Sequence, residues 1–294
     1  MKRTSMGAAA ANGWWYIMPG LAFHVLIVTI PAAMSFYLPL TEWNGMNVPK
    51  FIGLANFAEA IRDRVVGIAI VNNVKWMLFW MTVPLILSFV LAHWLTKVKR
   101  GQTAYQAIYF STSIITVTVA GQIWFWLYNP FSGVNYYLEK AGLDFLAWPG
   151  LTLPSFALLS ILIADMWKSF GSNVIWLLAA MTQLDKSLEE AAKLDGAGKA
   201  QTMWHVVLPQ IRPTLVIITF LTVIGSFGAF EMVYVMTGGG PAHTTETLST
   251  YYYTLSTSGR RAGYASAIAL FQMIITFLLI IVYVGLRKKK GWDV

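Results

Sequence analysis

Six stretches of this 294-residue chain are apolar over lengths that cross a bilayer, and they constrain the fold more than anything else in it. They run over about Trp14–Leu40, Ile68–Thr96, Tyr105–Tyr128, Leu153–Met181, Ile211–Met236 and Ala262–Leu286. A spanning helix needs about 20 mostly apolar residues, and each run supplies them. With 57% hydrophobic and only 12% charged residues, the chain carries more apolar side chain than a soluble core of this size requires. The expectation is an all-α, polytopic membrane protein with six transmembrane helices. The first run is too long for a signal-peptide core and lacks a persuasive cleavage site, so it is expected as a retained helix.

Basic residues in alternate loops give the orientation. Thirteen of the 21 lysines and arginines fall on one side: Lys2, Arg3, Lys97, Lys99, Arg100, Lys186, Lys193, Lys199, Arg212 and Arg287 to Lys290. Seven fall on the other, and Lys168 lies within a run. The excess places both termini and the loop at 185–213 in the cytoplasm. A net charge of +8 scattered between apolar runs fits membrane orientation, not nucleic-acid binding. The absence of cysteine excludes disulfides and thiolate metal sites.

The 185–213 loop, D-K-S-L-E-E-A-A-K-L-D-G-A-G-K-A-Q-T-M-W-H-V-V-L-P-Q-I-R-P, is a charged interval between the fourth and fifth runs. Ser187 and Glu190 have the spacing of a capping box, which predicts a short helix starting there. Leu188, Ala191, Ala192 and Asp195 share one face of it. Gly196 ends it, and a second short helix over about Lys199–Val207 is closed by Leu208-Pro209. Two short helices meeting at a tight bend make a docking device.

The spacing Glu190-Ala191-Ala192, three residues, Gly196, nine residues, Val206, one residue, Leu208-Pro209 resembles the EAA signature of ATP-binding-cassette (ABC) importer permeases, with valine where that family usually has isoleucine. The resemblance implies a cytoplasmic coupling helix seated in a cleft of the ATPase subunit, with Glu190, Ala191, Ala192, Asp195, Gly196, Leu208 and Pro209 as coupling residues. F-I-G-L-A-N-F from Phe51, N-P-F-S-G-V-N-Y-Y-L from Asn129 and T-G-G-G-P at Thr237–Pro241 are similar to the carbohydrate-uptake branch, in particular the first of its two paired permease subunits. The long periplasmic insert of the maltose member is missing. Gly238, Gly239, Gly240 and Pro241 would form an outer gate loop.

That resemblance implies a type I ABC importer transmembrane domain that forms the pathway for a sugar or oligosaccharide. The alternative is a glycerol-3-phosphate-type or other polyol permease. The partners implied are a second permease, two copies of a cytoplasmic ATPase that carries the ATP and magnesium, an extracytoplasmic solute-binding protein and membrane lipids. The place implied is the cytoplasmic membrane of a bacterium or archaeon. Residues 1–67 would be a tail, first helix and outer loop, 68–286 the core with its coupling loop, and 287–294 a basic tail. A stand-alone secondary transporter would instead show inverted repeats and broken helices, and no clear internal repeat is present.

Other features have plainer readings. Gly196-Ala197-Gly198-Lys199 lacks the first glycine and the hydroxyl of a phosphate loop. The four histidines have no metal-ligand spacing, and no nucleophile and base pair makes the chain an enzyme. Most tryptophans and tyrosines belong to interfacial belts, with Trp124, Trp167, Trp176 and Phe227 as candidates for stacking on a sugar. Charges inside a membrane are costly and mark cavities or pairs. Asp165 and Lys168, three apart, form an ion pair or line a cavity. Glu231 lacks a basic neighbour within a turn and, beside Gly225, Ser226, Gly228 and Ala229, is read as lining the path or the outer gate, with plain solvation at the interface as the alternative.

Overall fold

The computed structural model describes residues 6–288. Lys2, Arg3, Lys289, Lys290 and the outermost parts of the two tails lie outside the described residues. The helices in chain order are α1 (Met6–His24), α2 (Ile30–Tyr37), α3 (Ala55–Arg62), α4 (Arg64–Leu95), α5 (Gln102–Ile114), α6 (Val117–Leu127), α7 (Val134–Lys140), α8 (Pro154–Thr182), α9 (Lys186–Leu194), α10 (Lys199–Thr202), α11 (Leu208–Gln210), α12 (Arg212–Phe227), α13 (Glu231–Met236), α14 (Leu248–Thr257) and α15 (Ala262–Lys288). The described strands are a two-residue antiparallel pair, β1 (Thr41–Glu42) and β2 (Lys50–Phe51).

Proline explains the irregular turns. A proline inside a helix has no N–H to give to the carbonyl four residues back, and its ring crowds that carbonyl. Wide π turns occur over Val25–Thr29 and Met203–Val207, the segments that contain Ile27 and His205, four residues before Pro31 and Pro209. The chain thus continues as helix through both prolines, and Pro209 does not close the second loop helix as expected. That helix runs on to Gln210 and then turns by 69° into α12, where Pro213 sits in the first turn.

The chain divides into two units. The first holds residues up to Arg62 together with Tyr252–Phe271. In it, the buried Asn56 amide donates to the carbonyls of Pro39 and Thr41, each at 2.9 Å. The Gly263 N–H donates to the Trp43 carbonyl at 2.9 Å, and Arg261 reaches both oxygens of Glu59 at 2.8 and 2.7 Å.

The second unit, Asp63–Tyr251 with the chain from Gln272 on, is a bundle in which α8 packs on α4, α5 and α6, α4 on α12, and α6 on α13. Two apolar clusters hold it. One gathers Trp76, Ala120, Ile161, Leu162, Met232 and Val233 at one end, and the other Ala92, Leu95, Val174, Leu177, Ile211 and Ile218 nearer the loop that carries α9.

Three described segments, Trp14–Leu40, Arg64–Leu95 and Ala262–Gly285, are long and apolar enough to cross a membrane, and two bent pairs raise the number to five. The remaining run of the six is α8, whose 29 residues include Asp165, Lys168, Asn173 and several serines. Two runs expected as single helices are interrupted. The third bends by 90° between α5 and α6, at the β-branched I-I-T-V stretch. There Ile115 is extended and Thr116 caps α6 by accepting from the Val119 N–H.

The fifth run breaks after Phe227, and α13 starts only at Glu231. A break within an apolar layer frees backbone groups that must find partners inside the protein. Two asparagines of α4, 2% and 0% exposed, supply them. Asn73 donates to the Ser226 carbonyl at 2.7 Å and accepts from the Leu248 N–H at 3.0 Å. Asn72 donates to the carbonyls of Thr244 and Glu246 at 2.9 and 2.8 Å, and Thr247 Oγ1 donates to the Ala229 carbonyl at 2.8 Å.

Candidate translocation site and coupling loop

A cavity of about 290 Å³ lies where α4, α8 and α12 meet. Helix α8 contributes Asp165, Ser169, Ser172, Asn173 and Trp176, α4 gives Trp76 and Trp80, and α12 gives Leu221, Thr222, Gly225 and Ser226. The α8 positions recur at three, four and seven residues, so they form one stripe along the helix. Asp165 Oδ2 accepts from the Trp80 indole N–H at 2.9 Å, and Ser172 donates to Ser113 at 3.2 Å. Ser226 Oγ is buried with no partner among the described residues. A hydroxyl left unpaired beside a cavity is a group that a polar occupant can satisfy.

The same two helices line a second cavity of about 600 Å³ that shares Trp176 with the first. It continues through Ala180, Gln183 and Leu184 on α8 and its following turn, and Gln210, Thr214 and Ile217 on α11 and α12. From Asp165 to Gln183 the rise along the helix is about 27 Å, close to the ~30 Å of a hydrocarbon core. Polar lining side chains stand at both ends of that span, Asp165 to Asn173 and then Gln183, with Trp176, Ala179 and Ala180 between them.

The residues singled out from the sequence do not all converge there. Asp165 lines the smaller cavity, and no ion pair joins it to Lys168, which is half-buried outside that lining. Phe227 is 1% exposed, and its carbonyl accepts from Ser249. Trp167 and Trp124 pack edge to face at 5.9 Å against the first apolar cluster. Trp176 lines both cavities. Glu231 is exposed in the first turn of α13, because the break at Gly228–Phe230 turns what was read as mid-helix into a helix start. The small residues expected to leave a hollow beside Glu231 are divided: Gly225 and Ser226 face the cavity of Asp165. Trp76, Trp80 and Asn173 escaped the sequence reading, and Ser226 entered it only as a small neighbour of Glu231. The α8 spacing from Asp165 to Trp176 was the signal that could have found the helix face.

The T-G-G-G-P loop folds on itself. Thr237 and Thr245 hydroxyls lie 2.8 Å apart, the Thr245 N–H donates to the Gly239 carbonyl at 3.2 Å, and its hydroxyl donates to the Gly240 carbonyl at 2.6 Å. Gly239 packs against the carboxylate of Glu246, which His243 Nδ1 approaches at 2.7 Å.

At the other end of the bundle, the loop forms two short helices at a bend, but the expected capping box is not what starts the first. Asp185 is the N-cap, accepting from the Ser187 N–H at 2.9 Å, because a carboxylate two residues ahead reaches that donor directly. The hydroxyl and N–H of Ser187 hold the Asp185 carboxyl below the ordinary carboxylate range. Gly196 takes φ +81°, a conformation that costs other residues more, while the Ala197 N–H closes onto the Ala192 carbonyl at 2.9 Å. Gln201 then accepts from the Gly198 N–H at 2.8 Å to start α10. Glu190, Ala191, Asp195 and Gly196 are exposed, Ala192 is half-buried, and the apolar side chains of Leu194 and Trp204 are 89% and 65% exposed. Leu208 is half-buried and Pro209 exposed on the continuous second helix. A cleft of about 470 Å³ lined by His93, Lys97, Glu189, Glu190 and Lys193 joins this loop to the end of α4.

Comparison with known proteins gives the family of the chain. The family model described as binding-protein-dependent transport system inner membrane component matches residues 6–291. The chain is 33% identical over 268 residues to a probable ABC transporter permease protein, YurN, of Bacillus subtilis (strain 168), covering 90% of this chain and 91% of that one. It is 29% identical over 272 residues to the sn-glycerol-3-phosphate transport system permease protein UgpA of Brucella abortus biovar 1 (strain 9-941), with 90% and 91% covered. A solved chain of a bacterial ABC transporter involved in the import of the acidic polysaccharide alginate superposes with a TM-score of 0.79 at 22% identity, over 96% of this chain and 98% of that one.

Proposed function

The chain belongs to the family of binding-protein-dependent transport system inner membrane components, and from that premise we propose that the stripe on α8 and α12 is its wall of the path for a sugar or oligosaccharide. It is an integral membrane permease subunit of an ABC importer, and ATP is hydrolysed on a separate chain. It works with a second permease, the ATPase and a solute-binding protein. The sugar reading is supported by relatives such as a probable starch degradation products transport system permease protein, AmyD, of Thermoanaerobacterium thermosulfurigenes, 27% identical over 285 residues with 95% of this chain and 96% of that one covered.

The observation that carries the proposal is the cavity in which Asp165, Asn173 and Ser226 stand among Trp76, Trp80 and Trp176. Indole faces pack against the C–H faces of a sugar ring, and a carboxylate, an amide and a free hydroxyl exchange hydrogen bonds with its hydroxyls. Facing stripes from the second permease would complete the lumen. We take α9 and the bend at Gly196 as the coupling element, because Leu194 and Trp204 offer exposed apolar surface there on a loop with a basic excess. The same excess supports cytoplasmic termini. Thr237–Pro241, at the opposite end of the bundle, would be the outer gate.

Uptake by the importer in proteoliposomes, with its binding protein supplied, tests the path. Asp165→Asn removes the charge and turns one acceptor oxygen into a donor, Trp80→Phe removes the indole N–H, and each should slow uptake about tenfold while ATPase stimulation by the loaded binding protein persists. Parental uptake in both variants would remove this cavity from the path.

A further inference from the structure

A second cleft, of about 590 Å³, opens at the end of the bundle opposite the coupling loop, between the start of α4, the first turns of α8 and Thr244. Its floor is aliphatic, with Ile68 and Val71 from α4 and Leu158 from α8, and its ends are cationic, with Arg64 and Lys75. No aromatic ring and no carboxylate lines it. Arg64 and Lys75 are both exposed, and neither forms an ion pair among the described residues. Nearby carboxylates are engaged elsewhere: Asp63 accepts from the Val65 N–H and the Tyr251 hydroxyl, each at 2.7 Å, and Glu246 from His243.

Lys75 is the informative residue. It lies seven residues into the apolar run that begins at Ile68, about 10 Å along the helix, where an ammonium facing hydrocarbon costs several kcal/mol unless it finds water or an anion. Arg64 and Lys75 are separated by about 16 Å of helix, a gap that their two long side chains can nearly close from either end. One anion held between them above an aliphatic floor answers both charges. Basic pockets between membrane helices on the cytoplasmic or matrix side bind the headgroups of anionic lipids for this reason, and the same pairing of charge is open to a lipid at this end. A sugar would instead leave both cations without a partner and meet no aromatic face.

We propose that this cleft binds the phosphate headgroup of an anionic phospholipid, its acyl chain lying along Ile68, Val71 and Leu158. The lipid bridges the start of α4, which holds its headgroup, and the start of α8, which meets its acyl chain at Leu158; these two helices also carry Trp80 and Asp165. The assignment is independent of what the importer transports. A phosphate could also come from a soluble phosphomonoester, and the test separates the two sources.

The full importer is purified from vesicles of three parts phosphatidylcholine to one part phosphatidylglycerol, and the lipid retained is measured by mass spectrometry. The parent should retain phosphatidylglycerol in preference to phosphatidylcholine. Arg64→Gln combined with Lys75→Gln should lower that retention at least about tenfold, while Lys75→Arg, which keeps the charge, should not. Equal retention by parent and double variant overturns the proposal. If the double variant does not assemble, Lys75→Gln alone is read the same way. Thermal melting in phosphatidylcholine alone, with and without glycerol 3-phosphate, supplies the other arm. Stabilisation by the soluble phosphate that depends on Lys75, without preferential retention of phosphatidylglycerol, assigns the cleft to a soluble anion and overturns the lipid.

Discussion

Asn73 reaches across the bundle to satisfy backbone groups freed by a helix break more than 150 positions away: it donates to the Ser226 carbonyl and accepts from the Leu248 N–H. Replacing it by leucine keeps the volume and strands two buried backbone groups, each at about 1–3 kcal/mol. Asn73→Leu should therefore lower stability by about 3 kcal/mol, read as a fall in the melting temperature of the purified complex. Asp185 works on a smaller scale. Its carboxyl is held below the ordinary range by Ser187, so its capping contribution is complete above the unfolded value of about 3.9 and is lost as pH falls through the lower folded value. Coupling should thus show no dependence on this group at neutral or mildly acidic pH. Asp185→Ala should speed hydrogen exchange at the start of α9, while Asp185→Ser, which can still cap, should leave it near the parental rate. Equal exchange in all three proteins would show that this cap does not hold the helix.

Among the helices, α5 and α8 approach closely at Gly171, where a side-chain carbon would collide with the carbonyl of Tyr109. Gly171→Ala should push the two helices apart and cost about 1–3 kcal/mol, seen as a lower melting temperature and a loosened Ser113–Ser172 contact. An unchanged melting temperature would mean that α5 shifts without penalty. The element scale is also where the sequence was legible and where it stopped being so. The apolar runs locate α4, α8 and α15 because apolar length is a local property, and the end of α9 at Gly196 follows from glycine chemistry a few residues wide. The break after Phe227 was not legible. It is stabilised by Asn72, Asn73 and Thr247 from other parts of the chain, and nothing in V-I-G-S-F-G-A-F-E announces them. That one miss displaced Glu231 from an imagined hollow to an exposed helix start. The cavity was half visible, since the spacing from Asp165 to Trp176 is periodic, but its opposite wall, Trp76 and Trp80, becomes apparent only once α4 packs on α8.

At the scale of the whole molecule, broken helices by themselves do not separate importer permeases from secondary transporters, which also break helices at their binding sites. The family match decides that question, and orientation is the remaining step. The charge bias predicts that the α9 loop faces the cytoplasm, where an ATPase can reach Leu194 and Trp204, and that the segment between α14 and α15 faces outward. Both ends offer an exposed serine, Ser187 and Ser258, and the chain has no cysteine of its own, so a single introduced thiol reports without background. An impermeant maleimide added to intact spheroplasts should label Ser258→Cys and spare Ser187→Cys, and inverted vesicles should reverse the result. A buried or misfolded site would react from neither side, which distinguishes it from wrong topology. Labelling of both thiols from one face would require an even number of crossings between them. The charge bias implies one crossing between them, the fifth run through α12, with α13 and the Thr237–Pro241 loop ending on the far side, so that outcome would overturn both the cytoplasmic coupling loop and the outer gate.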